Sequence, residues 1–186
     1  MKEFYKITIA GHERELKLCP INDKLYIGAF IMFGDVELTK AAAKELLAKA
    51  PEYDIMITAE CKGIPLVYEM ARQANDDNYI VARKGPKLYM KDIHTTKVNS
   101  ITTAKEQTLC IGSDEIEAIK GKRVLIVDDV ISTGESLKAI EQLVCEVGGN
   151  VVGRMAVLAE DVAADRDDII YLEKLPLFDA DGNPLD

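Results

Sequence analysis

The sequence predicts an α/β fold: a central parallel sheet with helices on both faces. Three observations carry that expectation. Short strand-like runs alternate with helical spacings along the chain, the order that crossover helices impose on parallel strands. The stretch Val124–Val127 is continuously apolar, the mark of a strand covered on both faces. The chain has 186 residues, 48% of them hydrophobic, which suits one domain with a sizeable core, so residues 1–186 are read as a single unit.

The elements follow in order. Phe4, Tyr5, Ile7 and Ile9, then Leu16 and Leu18, alternate like two short strands about Gly11-His12, predicting a hairpin within residues 1–24. Tyr26–Phe33 reads as a further strand. Ala- and Leu-rich spacing predicts a helix from Thr39 to about Ala50, with Thr39 as N-cap and Pro51 beyond its end. Asp54–Thr58 is a short buried strand. A turn, Ala59 to Gly63, leads to a helix that Pro65 opens and that runs to about Ala74. Tyr79–Arg83 is the next strand. Residues 84–108 lack sustained periodicity and are rich in Lys, Thr and Ser, which reads as a flexible functional flap. Beyond Val124–Val127, a helical face of Leu137, Ile140, Val144 and Val147 ends at Gly148-Gly149, and Val151–Leu158 is a strand. Asp161–Asp168 is an acidic connection without legible chemistry, and Ile169–Phe178 reads as a last strand or lid.

Composition excludes several classes. No apolar run approaches the ~18 residues that cross a bilayer, and no signal-peptide pattern opens the sequence, so no membrane partner is expected. Cys19, Cys61, Cys110 and Cys145 form no Cys-x-x-Cys pair and, with His12 and His94, give no metal-ligand spacing. Free thiols in a reducing cytoplasm are the plain reading. The net charge of −9 argues against nucleic acid as a partner. Its distribution is uneven. Between Arg83 and Lys105 six basic residues face one acid, a net of +5 that leaves −14 elsewhere. A basic island on an acidic chain suggests a local polyanion site.

The chemistry concentrates in Val124–Ser136. The strand stops abruptly at Asp128 and Asp129, and a hydroxyl-rich turn, Ser132-Thr133-Gly134-Glu135-Ser136, opens a helix. Carboxylates at a strand end accept hydrogen bonds from sugar hydroxyls. Free N–H groups at a helix start, with hydroxyls nearby, cradle a phosphate. A diol and a phosphate side by side describe a ribose 5-phosphate. Glu60-Cys61-Lys62-Gly63, also between strand and helix, turns N–H groups and a cation toward an anion. Cys61 beside that helix start reads as a small turn residue rather than a reactive thiol.

Val124–Ser136 resembles, position for position, the phosphoribosyl pyrophosphate (PRPP) motif of type I phosphoribosyltransferases. Receiver domains share Val-Leu-Ile-Val-Asp-Asp, but near their start and without the Ser-Thr-Gly-x-Ser turn. The similarity to the transferases covers roughly residues 25–160. Glu60–Gly63 is similar to the pyrophosphate loop of adenine phosphoribosyltransferases, with Lys62 in place of an Arg. Arg83-Lys84-x-x-Lys87 resembles the stretch leading into the flexible loop of the superfamily. Lys62-Gly-Ile-Pro-Leu-Val-Tyr68 is also similar to the effector domain of bacterial purine repressors, which bind PRPP without turnover.

The resemblance implies the type I fold with a small N-terminal hood, a homodimer, and attack of a purine N9 on ribose C1 of Mg-bound PRPP. It implies that Asp128 and Asp129 hold the ribose diol and, with Lys62, make up the catalytic set. Residues 132–136 would grip the 5-phosphate. Glu60, Cys61, Lys62, Gly63, Lys84 and Lys87 would hold pyrophosphate, and Val81, Ala82 and Arg83 would line the base pocket. Magnesium is held by PRPP, with no direct protein ligand. Lys91, Lys97, Ser100 and Thr102–Thr103 belong to the flap, in which His94 reads as a solvated residue and Thr103-Ala104-Lys105 stands where the adenine family usually has Glu-Tyr-Gly, with Glu106 three places on. Ser132, where hypoxanthine–guanine enzymes carry Asp, favours adenine as the base. The alternatives are a xanthine- or other base-specific enzyme and a PRPP- or nucleotide-sensing module.

Overall fold

In the computed structural model, which describes residues 2–98 and 107–185, ten strands and four α-helices follow one another. They are β1 (Phe4–Ile9), β2 (His12–Pro20), β3 (Tyr26–Ala29), α1 (Val36–Lys49), β4 (Ile55–Ala59), α2 (Ile64–Ala74), β5 (Ile80–Ala82), β6 (His94–Val98) and β7 (Gln107–Ile111). The second half is α3 (Ser113–Ile119), β8 (Arg123–Ile131), α4 (Glu135–Glu146), β9 (Asn150–Glu160), a 3₁₀ turn (Asp161–Asp165) and β10 (Ile170–Leu175). No helix among the described residues is long and apolar enough to cross a membrane.

The central sheet is parallel, in the order β10-β9-β8-β4-β5. Its two faces are written into the alternation of β8. Leu125 and Val127 pack with Leu46, Val67 and Met70 of α1 and α2. Val124 and Ile126 pack with Ile119 of α3 and with Ile140, Leu143 and Val144 of α4. Each such side chain, taken fully from water, contributes about 1.5–3 kcal/mol. Gly153 on β9 leaves room for Pro51, whose ring carbons would lie 2.8 and 3.3 Å from an added Cβ.

The N-terminal hairpin forms and β3 extends it to three antiparallel strands. Its turn falls at Ala10-Gly11, one residue before the expected position, because both residues take the positive φ (48° and 78°) of a tight primed turn. Arg14 forks onto Asp35 (2.6 and 3.1 Å) and ties this sheet to α1. Asp35, not Thr39, caps that helix, accepting from Leu38 N–H at 3.1 Å, while Thr39 sits a turn inside and donates to the Asp35 carbonyl. The strand expected over 26–33 ends at Ala29. Phe30 and Met32 stay buried and Ile31 and Phe33 exposed, so the alternation there reports burial without a partner strand.

The chain lays β4 and β5 toward one edge, then β8, β9 and β10 toward the other. The reversal lies between β4 and β8, and ligands of such sheets bind in that crevice, at the C-terminal strand ends. The β4–β8 ladder closes at Ile57–Ile126, yet β8 continues beside β9 to Ile131. Asp128 and Asp129 therefore lie inside a strand rather than at its end, at the point where one neighbour has turned away.

Candidate active site

A cavity of about 630 Å³ opens over this crevice. Asp128, Asp129, Ser132, Thr133, Gly134, Glu135 and Ser136 line it together with Glu60, Cys61, Lys62 and Lys84. Residues expected to hold diol, phosphate and pyrophosphate are thus brought together from three strand ends. Ala59, Thr108, Leu109, Val130, Ile131 and Leu137 complete the lining. Gly63, Val81, Ala82, Arg83 and Lys87 lie outside it: Gly63 packs on Thr58 and Asp128, Ala82 is fully buried in the sheet, and Arg83 and Lys87 turn to Glu60.

The acidic pair is asymmetric. Asp129 is 2% exposed and accepts from Lys62 Nζ at 2.6 Å. Asp128 accepts from the Asp129 backbone N–H through Oδ1 at 2.9 Å. Burial, reinforced by the adjacent Asp129 charge, holds the Asp128 carboxyl well above the usual carboxylate range. Glu160, at the end of β9, is raised by burial and by Asp161, with Lys62 opposing.

The loop before α2 approaches β8 closely. The Glu60–Cys61 peptide is cis. A Cβ on Gly63, the N-cap of α2, would stand 2.3 Å from Thr58 Oγ1 and 3.1 Å from Asp128 Oδ1, so glycine is required by space at a φ of −72° that any residue adopts. Glu60 gathers the neighbouring cations: it accepts from Lys84 N–H at 3.1 Å, with Arg83 at 3.7 Å and Lys87 at 3.8 Å. The Lys84 N–H, ahead of those charges, holds its carboxyl below the ordinary value.

At α4, Gly134 takes φ 79° as N-cap, and no side chain caps the helix. The residues of its first turn line the cavity, and the N–H groups of a helix start can cradle an anion there. Arg166, from the acidic connection that had no legible role, reaches this turn: its Nη1 would be 2.8 Å from a Gly134 Cβ. Asp168 holds the guanidinium by two hydrogen bonds, 2.9 and 2.7 Å. The signal available in the sequence was a lone cation among the aspartates of 161–168.

The segment expected to be aperiodic contains β6 and the first two residues of β7, and the two strands pair antiparallel. His94 is not simply solvated. Its Nε2 meets Glu146 of α4 at 2.8 Å, with Thr96 on the same carboxylate. These partners, Thr96 first and then Gln142 and His94, hold Glu146 at about 2. Ser100, Thr102, Thr103, Lys105 and Glu106 lie outside the described residues. Among the described residues, no group of three or more His, Cys, Asp or Glu converges on a common point. The pair Asp128–Asp129, one member already paired with Lys62, suits a diol more than a bare cation.

Comparison with known proteins shows the family. The model of the phosphoribosyl transferase domain family matches residues 33–177. The adenine phosphoribosyltransferase of Thermotoga sp. (strain RQ2) is 37% identical over 109 residues, covering 59% of this chain and 60% of its own length. That of Kosmotoga olearia is 30% identical over 125 residues, 67% of this chain and 69% of its own. The crystal structure of adenine phosphoribosyltransferase from Rhodothermus marinus superposes with a TM-score of 0.65 at 23% identity, over 93% of this chain and 94% of that one. The chain thus spans about three-fifths of the length of the Thermotoga protein it matches.

Proposed function

The chain belongs to the phosphoribosyl transferase domain family, and from that premise we propose that it transfers the 5-phosphoribosyl group of PRPP to a purine base, adenine favoured, in purine salvage. One observation carries the proposal: the acidic pair of β8, the α4 turn and the lysines of the loops after β4 and β5 line one cavity.

Each part of the substrate has a place. Asp128 and Asp129 accept from the two ribose hydroxyls, and residues 132–136 receive the 5-phosphate. Lys62 and Lys84 face the pyrophosphate, with Cys61 beside them in the lining and Gly63 behind, packed on Thr58 and Asp128. Glu60 acts indirectly, by fixing the Lys84 backbone and the Arg83 and Lys87 side chains. A flat base needs an apolar wall, which Leu109, Val130 and Ile131 supply in the lining. Arg83, with Val81 and Ala82 behind it, serves the edge of that pocket.

In the reaction, the C1–oxygen bond to pyrophosphate breaks as purine N9 attacks C1, through a state of oxocarbenium character. No protein nucleophile is needed; the demands are leaving-group stabilisation and alignment. Magnesium enters as part of the substrate, chelated by PRPP's own oxygens, and the acidic pair reaches it only through the ribose. A homodimer in the cytoplasm completes the proposal, the first from the family resemblance and the second from four free cysteines.

The test is purified protein with Mg-PRPP and adenine, hypoxanthine, guanine or xanthine, with pyrophosphate and nucleotide both followed. AMP formation above the other nucleotides is expected. A preference for xanthine would reject the base assignment while keeping the reaction. PRPP binding without product from any base would favour the sensing module. Asp129→Asn should lower turnover roughly 10- to 150-fold, the equivalent of ~1.5–3 kcal/mol for a charge-assisted hydrogen bond felt at the transition state.

A further inference from the structure

Glu146, the last residue of α4, sets a carboxylate at the negative end of the helix dipole, where a cation is favoured. The last turn of α4 carries no basic residue to offset it. Its partners come from β6. Oε2 meets His94 Nε2 at 2.8 Å and accepts from the Thr96 hydroxyl, while Oε1 accepts from Gln142 of its own helix at 2.8 Å. His94 and Thr96 lie two positions apart and so share one face of the strand. Thr96 is buried there.

The same strand leads to the cavity. Thr96 is the register partner of Leu109, and Lys97 that of Thr108; both β7 residues are in the lining. The β6–β7 pair forms a sheet of its own beside the five parallel strands. Its backbone joins the end of β5 at Arg83 and Cys110, which exchange hydrogen bonds of 2.9 and 2.8 Å. Leu109, next to Cys110, is thus placed from two sides: by the β5 bridge and, through Thr96, by the carboxylate of α4.

We propose that Glu146 is a positioning residue for the base wall at Leu109, acting through β6, and that protonation of His94 tightens its hold on the β6–β7 pair. The consequence for turnover rests on the phosphoribosyl reading above; the clasp itself does not. Around His94, α4 presents Glu146 with neutral Gln142 on the same carboxylate, and β7 presents Ile111 as the register partner, with the Cys110 thiol on the other face. Lys91 and Asp92 precede His94 on its own segment. The partners of Glu146 hold it at about 2, so it is ionised throughout the neutral range. An imidazole gains its charge as pH falls from about 8 to 5, which turns a neutral hydrogen bond into a charge-assisted one.

The experiment is hydrogen exchange of the β6 and β7 amides in the ligand-free protein at about pH 5.5 and about pH 8, each corrected for the intrinsic exchange rate. Wild-type protection should be about tenfold greater at the lower pH. Glu146→Gln should lower protection and erase the difference. His94→Gln keeps a donor without a charge, so its protection should be equal at the two pH values, and it decides alone if Glu146→Gln does not fold. With Mg-PRPP, Glu146→Gln should raise KM for the preferred base ~10-fold, with kcat less affected. Wild-type protection that ignores pH, or a pH dependence that survives in the folded variants, overturns the inference. So does an unchanged KM in a Glu146→Gln protein whose protection is lost. The expected exchange pattern in a protein that turns over no base upholds the clasp and rejects only the enzymatic reading.

Discussion

Lys62 and Asp129 meet at 2.6 Å across the crevice between β4 and β8, one side chain 47% exposed and the other 3%. The lysine arrives from the loop before α2, the carboxylate from the middle of β8. The pair closes the gap where the two strands separate, and it sits in the cavity wall.

Removing Lys62 alone strands a buried charge. Lys62→Met should destabilise the fold by ~1–3 kcal/mol, the lower part of that range applying because the lysine is half in water. Adding Asp129→Asn should recover part of the loss, since the uncompensated charge is gone. Urea denaturation of the wild type, both single variants and the double variant closes the cycle. Additive losses would mean that the pair carries no coupling.

Gly63→Ala tests the close approach of the α2 loop to the sheet. Its Cβ would press on Thr58 Oγ1 and Asp128 Oδ1 at 2.3 and 3.1 Å. Overpacking of this kind costs about 1–3 kcal/mol, and PRPP affinity should fall as Asp128 is displaced. Thr58→Ala in the same chain should relieve much of the strain. Thermal melting and PRPP titration are the checks; wild-type values for Gly63→Ala would show that the loop yields freely.

Arg166 places a cation over the N-terminus of α4, where the helix dipole is also positive. That arrangement becomes favourable when an anion lies between them. Arg166→Gln should therefore weaken AMP binding ~10-fold, within the range of charge-assisted hydrogen bonds, and leave adenosine binding unchanged. Calorimetry with the two ligands separates the cases. An equal loss for both would assign Arg166 to packing rather than to phosphate.

The raised Asp128 pKa fixes the sign of a pH effect. Its folded value lies above the ordinary ~3.9 of an unfolded chain, so the folded protein keeps a proton that the unfolded chain releases. Stability from this group is full below about pH 4 and is lost as pH rises through the folded value. Glu160 acts in the same direction. Glu60, Glu69 and Glu146, whose values are lowered, act oppositely, and only in the acid range. Asp128→Asn should therefore shrink the fall in melting temperature between pH 5 and pH 8. An identical fall in the variant would place that titration elsewhere.

Much of the site is local and was legible as such. Asp128, Asp129 and Ser132–Ser136 are consecutive along one strand-turn-helix, and chain connectivity alone brings the carboxylates and the helix start to one cavity. Lys62 and Lys84 were legible because each follows a strand, and parallel strands deliver their following loops to one side. Strand alternation was less informative at 30–33, where it tracks burial, and within 84–108, where β6 and the start of β7 pair without sustained periodicity.

By itself, the sequence determined the order of the central-sheet strands and of α1, α2 and α4, but not β6, β7 or α3, together with the two-faced core of β8 and the chemistry of its acidic turn, because these depend on side-chain pattern over a few residues. Only the tertiary structure decided which groups meet. It joined Lys62 to Asp129, 67 positions apart, set Arg166 on Gly134, and left the Thr58 hydroxyl, beneath Gly63, without a hydrogen-bond partner among the described residues. It also turned Arg83 and Lys87 to Glu60 rather than into the cavity lining. Such pairings follow from strand register and from Å-scale loop clearance. Both are set by the packing of the whole sheet and its helices, which no local run of residues encodes.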